Sequence, residues 1–465
     1  MKSQSILPLP LEDLFCNSPR SVDISAISQE WFSLGRDYDV ETWQLPLPLW
    51  AQRPYDDCGS RAWELLTADL PDMDPKRPLC IYIHIPFCSS KCGFCDSYSF
   101  KLGSHKDEHI ENYLKHLCEE LHLWSAEGNL NSRPVSTVHL GGGTPTILGE
   151  SAFQRLIECC RENFAISQGT EWALETTVES LTDHTIRTLH ELGFRRLHIG
   201  IQSMQDSVRT MIGRRCTSAE ALRAIETVLA MEWITSVDLI CGLPGQGLAD
   251  FLTGIKSLME CGVNGFSLYE LLIRSQNHHW SVRQGLTNRS HLPNYFMMLA
   301  GANLLEANGF RKNLFNHWVD DHDKNIYFTF PTRQEDCLAI GTISDGIFGD
   351  YHYRHPPYAK YMSMSNSGLP GLEGGLRKNE LEKRLQPLIT AILSGHIPPI
   401  LVPEFHELRF SGWSLVERWV SHALVRPEVN GGLALTSNGT WFAGNMINEV
   451  NSSVQRKQDR CQADF

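Results

Sequence analysis

The chain has 465 residues, a hydrophobic content of 42% and a formal net charge of −13. That length allows two or three domains and a sizeable core, and the acidic balance argues against broad binding to nucleic acid or anionic membrane. No segment approaches the roughly 20 apolar residues of a membrane span, and the N-terminus has no apolar run of secretory length. Residues 1–78 are rich in Pro, Trp and Asp with weak periodicity, and form an expected N-terminal extension that closes in the linker-like stretch Pro71–Pro78. Strand patterns then follow at Cys80–Ile85, Ser136–Leu140, Glu171–Thr176, Arg196–Ile201, Ser236–Cys241 and Gly265–Glu270. Helix-like stretches fall between them at 107–124, 151–164, 183–193, 217–230 and 249–262. Thr182 and Thr217 offer N-caps, and Gly193 and Gly262 offer C-terminal stops. Six such βα units over residues 79–315 predict a parallel α/β sheet rolled into a partial (β/α)6 barrel. Past Phe310 the rhythm is lost. Residues 316–465 are expected to form an accessory domain, with a charged helix near Arg377–Leu393, a strand and turn at Leu433–Gly439 and a helix from about Thr440, in the manner of a winged helix.

The most informative local feature is Cys88, Cys92 and Cys95, spaced C-x3-C-x2-C directly after the first strand. Such a loop is short enough to wrap three corners of a cubane iron–sulfur cluster, and no fourth cysteine lies nearby, the next being Cys118. Structural zinc normally takes four protein ligands and ordinary four-iron clusters four cysteines; three leave one iron open. A zinc loop or unrelated thiols are the alternatives. The other cysteines, among the 14 in the chain, do not read as a disulfide framework and suit a reducing cytoplasm. Cys159, Cys160 and Cys241 are expected to pack.

Every other unusual cluster also falls at the C-terminal end of a strand, where sites form on βα folds. Gly141, Gly142, Gly143, Thr144 and Pro145 follow the second strand, Glu175 closes the third and Gln202 follows the fourth. Asp238 lies in the fifth, which runs into Gly242, Leu243 and Pro244, and Glu270 ends the sixth. Consecutive glycines let a ligand approach the backbone, or simply make a tight turn. Glu175 is suited to ribose hydroxyls, or is a solvated carboxylate. Asp238, beside an apolar run, needs a partner. Gln202 either reads a ligand or pairs with backbone, and Arg214 either neutralises a carboxylate or is a surface charge.

Tyr82, His84, Pro86, the three cysteines with Phe94, the Gly-Gly-Gly-Thr-Pro turn and Asp238-Leu-Ile-Cys-Gly-Leu-Pro together resemble the radical S-adenosylmethionine enzymes. More narrowly they are similar to the oxygen-independent coproporphyrinogen III oxidase-like subfamily, whose members include haem chaperones and haem-degrading and class C methyltransferases. The resemblance covers residues 78–315 well and the C-terminal part loosely. It implies a [4Fe–4S] cluster on Cys88, Cys92 and Cys95, and reductive cleavage of S-adenosylmethionine to a 5′-deoxyadenosyl radical. It further implies that Tyr82 and Phe94 lie against the cofactor and that the amides of Gly142, Gly143 and Thr144 meet its methionine end. Glu175 would hold ribose, while Gln202, Arg214, Asp238 and the backbone at Leu272 complete the pocket. A one-electron donor such as flavodoxin or ferredoxin is the implied partner, and a tetrapyrrole, haem or other large planar molecule the implied substrate.

The departures from the family pattern bear on the reaction. Coproporphyrinogen oxidase has a further cysteine where this chain has Ser97. Asp96 is similar to the chaperone branch, but that branch has a His-Asn-x-x-Tyr-Trp signature whose nearest counterpart here, Lys324–Phe328, lacks the His and Trp. The long leader before the cysteines resembles the haem-opening methyltransferases. These features give a first expectation of methyl transfer with two S-adenosylmethionine molecules, for which Glu270, Arg274 and Phe310–Trp318 are candidate second-site residues. Haem chaperoning and tetrapyrrole oxidation are the rivals. The His- and Tyr-rich stretch Asp345–His355 is either a contact for a planar substrate or metal, or a surface loop.

Overall fold

The structure, a computed structural model, describes residues 15, 22–34, 40–47, 49–103, 106–287, 289–364 and 371–463. Of the expected N-terminal extension, residues 1–14, 16–21, 35–39 and 48 lie outside the described residues. The six expected strands are present as β1 (Leu79–Ile85), β2 (Val135–Gly142), β3 (Glu171–Thr176), β4 (Arg196–Gln202), β5 (Ile234–Cys241) and β6 (Gly265–Glu270). They pair in chain order, all parallel. The intervening helices are Lys106–Ser125, Glu150–Asn163, Asp183–Leu192, Ser218–Leu229 and Leu248–Cys261. Their ends follow the sequence signals. Thr182 accepts from the Thr185 amide, Thr217 forms a reciprocal cap with Glu220, and Gly193 and Gly262 stop their helices at φ +104° and +100°.

Alternation along the strands separates two faces. Ile81, Ile83, Val138, Leu140, Leu174, Leu197, Ile199, Val237, Leu239, Phe266 and Leu268 are buried in one core with helix residues such as Leu117, Leu156, Leu189, Ile225 and Leu252. The positions between them, among them Tyr82, His139, Glu175, His198, Asp238 and Tyr269, give the opposite face a polar and aromatic lining. A sheet with such a face needs a second partner there, because a buried polar group without one is costly. The segment after Val319 supplies it. Arg196 donates to Asp323 (2.6 Å) and to Ser236 (2.9 Å), Ser236 donates to Asp323 (2.8 Å), and Tyr327 of helix Ile326–Arg333 stacks on His139 with ring centroids 3.9 Å apart.

The sheet does not end where the βα rhythm ends. Strands β7 (Arg311–Leu314), β8 (His317–Val319), β9 (Cys337–Ile340), β10 (Asp345–Phe348), β11 (Tyr351–Arg354) and β12 (Gly374–Arg377) extend it to twelve strands. The order is β12-β11-β10-β9-β1-β2-β3-β4-β5-β6-β8-β7, with β9 parallel to β1 and the outermost pairs antiparallel. The sheet thus draws strands from both sides of residue 315. These late strands are three or four residues long and several are polar, which hides their period from sequence reading. The charged helix begins at Glu380, not Arg377: Asn379 caps it reciprocally with Glu382, and Arg377 belongs to β12. Beyond it come strand His396–Ile397, helices Val402–Glu407 and Leu415–Ser421, and strands Val425–Pro427 and Leu433–Leu435, which join in one antiparallel three-stranded sheet. This helix–strand–helix–helix–hairpin order is winged-helix-like. A short helix, Ser437–Trp441, precedes the final helix Ala443–Ala463, so the single expected helix is two.

Candidate active site at the C-terminal rim of the sheet

The cysteine loop leaves β1 at Pro86 and is pinned at several points. Phe87 and Cys88 pair with Phe100 and Lys101, and Lys91 Nζ donates to the carbonyls of Ser97 (2.6 Å) and Ser99 (3.1 Å). The Cys95 amide donates to the Cys92 carbonyl (3.2 Å). Asn277 Nδ2 donates to the carbonyls of both Phe94 and Leu272 at 2.8 Å, tying the loop to the chain after β6. Gly93 is required by close approach, since a Cβ there would lie 2.2 Å from the Trp280 ring. Burial pushes the Cys92 thiol up, with the Arg214 guanidinium opposing.

The glycine turn after β2 fits against this loop through its own amides. The amide of Gly143 donates to Ile85 O and that of Thr144 to Phe87 O, both at 2.8 Å, and the Gly142 amide donates to Glu175 Oε2 at 3.1 Å. Each of the three amides thus has an acceptor within the protein. The reason for glycine is space: a Cβ on Gly141 would stand 2.7 Å from Glu175 Oε1, and one on Gly143 2.5 Å from Phe87 O.

Charged groups complete the rim. His139 Nε2 lies 3.1 Å from Glu175 Oε1. Burial alone would raise the Glu175 carboxyl, but the His139 contact and the Gly142 amide hold it down at about 2. His198 Nε2 lies 2.6 Å from Asp238 Oδ1, which is the partner Asp238 needed. Burial disfavours the His198 cation, yet the Asp238 carboxylate beside it outweighs that and raises its pKa. Gln202 closes β4 with φ +68°, an uncommon conformation for a residue other than glycine, and its Oε1 is buried without a hydrogen-bond partner. Arg214 pairs with Glu179 (3.5 Å), lies 5.8 Å from the Phe94 ring, and has a buried Nε without a partner.

These residues enclose a cavity of about 730 Å3. Cys88, Cys92, Cys95, Phe94, Gly142, Gly143, Thr144, Glu175, Gln202, Arg214, Asp238 and Leu272 all line it. Tyr82 does not: its hydroxyl bonds to His84 Nδ1 (3.0 Å) and its ring stacks on Tyr327 (5.1 Å) below the wall. Sequence reading missed Glu179, His139 and His198, although a histidine inside an otherwise apolar strand is itself a signal. It also missed Trp43 and Leu45, which come from the N-terminal extension and had no local signal. Of the second-site candidates, Arg274 and Glu270 line the cavity and none of Phe310–Trp318 does. Glu270 is fully engaged, accepting from Thr42 Oγ1, the Trp43 amide and Asn294 Nδ2 and lying 2.7 Å from His291 Nδ1. It anchors the extension rather than offering a ligand group. The Asp345–His355 stretch forms β10 and β11 outside this cavity. There His355 lies 2.5 Å from Glu120, and His352 lines a separate cavity of about 390 Å3.

A parallel sheet core with three thiols and two carboxylates gathered at one rim points to a class. Residues 82–258 match the radical SAM superfamily. That match spans less than half of the chain, and together with the relatives below it makes the chain similar to the oxygen-independent coproporphyrinogen III oxidase-like radical SAM proteins. Its relatives include an anaerobilin synthase of Escherichia coli O157:H7, 26% identical over 82% of this chain and 85% of that protein. A heme chaperone HemW of Buchnera aphidicola subsp. Acyrthosiphon pisum is 28% identical over 58% of this chain and 70% of its own length. Among solved structures, coproporphyrinogen III oxidase (HemN) from Escherichia coli shares the fold, with a TM-score of 0.72 over 88% of this chain and 99% of that one at 19% identity.

The superfamily uses a [4Fe–4S] cluster and S-adenosylmethionine, and the residues present fit both. Among the described residues no three His, Cys, Asp or Glu side chains converge on a single metal ion. A cluster makes a different demand, because its own iron and sulfide hold the thiolates apart, and a braced loop with three thiols on one open cavity meets it. The unpartnered Gln202 Oε1 and Arg214 Nε supply polar atoms for a polar cofactor in the same space.

Proposed function

We propose that this chain is a radical S-adenosylmethionine enzyme that modifies a tetrapyrrole or another large planar substrate, with C-methylation as the reaction. The observation that carries this reading is one cavity lined together by one loop's three thiols, by hydrogen-bonding side chains and by Trp43, Ile240, Leu271 and Leu272. On this reading Cys88, Cys92 and Cys95 hold the cluster, while Glu175, Gln202, Arg214 and Asp238 hold S-adenosylmethionine. With both bound, the site has the one-electron chemistry that opens a sulfonium C–S bond to a carbon radical. The chain's own residues bind, orient and shield. Glu175 stays ionised as a hydroxyl acceptor, Arg214 offers a guanidinium beside Phe94, and the apolar wall keeps water from a reactive centre. A cytoplasmic setting and a flavodoxin- or ferredoxin-type donor suit a reduced cluster.

One relative, matched over 82% of this chain and 85% of its own length, is named a synthase, which supports turnover. Ser97, in place of a further cysteine, weighs against coproporphyrinogen oxidation. The second reading, a haem chaperone, is favoured by the relatives that carry that name over about half of this chain or more. Anaerobic turnover of the reconstituted protein with haem as substrate separates the readings. We expect both 5′-deoxyadenosine and S-adenosylhomocysteine in step with a methylated product. Deoxyadenosine in step with product, without S-adenosylhomocysteine, would move tetrapyrrole oxidation ahead, and stable haem binding without product would favour the chaperone.

A further inference from the structure

Two imidazole–carboxylate pairs stand side by side on the polar face of the sheet. His139 on β2 meets Glu175 on β3, and His198 on β4 meets Asp238 on β5. In each pair the imidazole is the more buried member, with side-chain exposures of 0% and 5% against 29% and 23% for the carboxylates; both carboxylates line the cavity, and so does the edge of His198. The arrangement repeats because strand order and register repeat: each histidine lies one strand before its carboxylate. The pairs differ in what remains free. Each oxygen of Glu175 already has one partner, the second being the Gly142 amide, and keeps one further acceptor site, whereas Asp238 is bonded through Oδ1 alone and its Oδ2 has no protein partner among the described residues.

A carboxylate held on one side by a buried imidazole cannot rotate freely, so its second oxygen keeps a fixed aim. We propose that His198 is a positioning residue that locks Asp238 and directs Oδ2 toward a hydroxyl or ammonium group of the ligand bound in the cavity. The proposal rests on the reading of this cavity as the S-adenosylmethionine site. His198 is well placed for the task. Its ring is flanked by Phe328 (5.4 Å between centroids) and His317 (6.1 Å), and Glu175 and Arg196 act on it from the neighbouring strand and its own.

The test is a double-mutant cycle read by anaerobic binding of S-adenosylmethionine to the cluster-reconstituted full chain, with iron content and melting temperature measured in parallel. D238N and H198L should each weaken binding about ten-fold, the loss of one charge-assisted hydrogen bond. H198Q, whose amide donor reaches about as far as Nε2, should stay within about three-fold, and H198L/D238N should be no weaker than either single variant. If H198L does not fold, H198N takes its place, because its amide is too short to reach Asp238. Wild-type affinity in H198L with weakened D238N overturns the proposal and leaves Asp238 in the site. Additive losses in the double variant overturn it too, since a merely structural histidine acts independently of the aspartate. Wild-type affinity in D238N removes Asp238 from the cofactor site, and with it the reading on which the proposal stands.

Discussion

At the scale of single residues, the site is built by giving polar side chains one fixed use each. Glu175 is the clearest case. Its contacts with His139 and the Gly142 amide keep it ionised well below neutral pH. Removing its charge by E175Q should therefore weaken S-adenosylmethionine binding about ten-fold or more without loss of iron, because hydrogen bonds to charged groups contribute roughly 1.5–3 kcal/mol. Anaerobic titration with iron and sulfide assay checks this, and unchanged affinity would take Glu175 out of the ligand's reach. The thiols, glycines and carboxylates at strand ends were legible because they are chemically conspicuous, whereas Glu179, His198, Trp43 and Leu45, which also line the cavity, were not. The hydrogen bonds were not legible either. Nothing in Gly-Gly-Gly-Thr tells that the Gly143 and Thr144 amides turn back to Ile85 and Phe87, which only the packing of two loops decides.

At the scale of elements, the long βα units were legible and the short strands were not. Five helices, three of them with cap or stop signals, and six strands with clear periods announce themselves. Strands of three or four residues, such as β8 and β10 to β12, take their state from tertiary pairing. The β10–β11 hairpin carries a consequence of its own. His352 on β11 packs by Trp50, with ring centroids 5.5 Å apart, and its Nε2 has no hydrogen-bond partner. Burial, with Lys378 and Arg53 nearby, pushes its pKa down from 6.5 to about 3. Below about pH 6.5 the unfolded chain therefore takes up a proton that the folded chain refuses, so stability falls with pH until about pH 3. H352F keeps a ring beside Trp50 and removes that proton. Its melting temperature should fall less steeply than the wild type's between pH 7 and pH 4, and parallel slopes would show that other groups govern acid sensitivity.

At the scale of the molecule, the extension, the core and the C-terminal part are interlocked through a few contacts far apart in sequence. Glu270 at the end of β6 holds Thr42 and Trp43. Arg53 donates to Glu382 at 2.9 Å, and Lys312 Nζ donates to Thr440 Oγ1 at 2.6 Å. The sheet itself crosses the boundary expected near residue 315, because β9 pairs with β1. A fragment spanning 79–315 should accordingly aggregate on size-exclusion chromatography, whereas the full chain elutes as a discrete species. A well-behaved, cooperatively melting 79–315 fragment would show that β9 is dispensable.

The pairing of β1 with β9 also sets an order of events during synthesis. The strand that leads into the cysteine loop is among the first of the sheet to leave the ribosome, yet its outer neighbour, beginning at Cys337, is made only after all six βα strands. Until then β1 is an open edge, able to pair with another chain. The domain cannot finish folding vectorially, and its slowest, most aggregation-exposed step falls late, when the C-terminal strands return to close over the first.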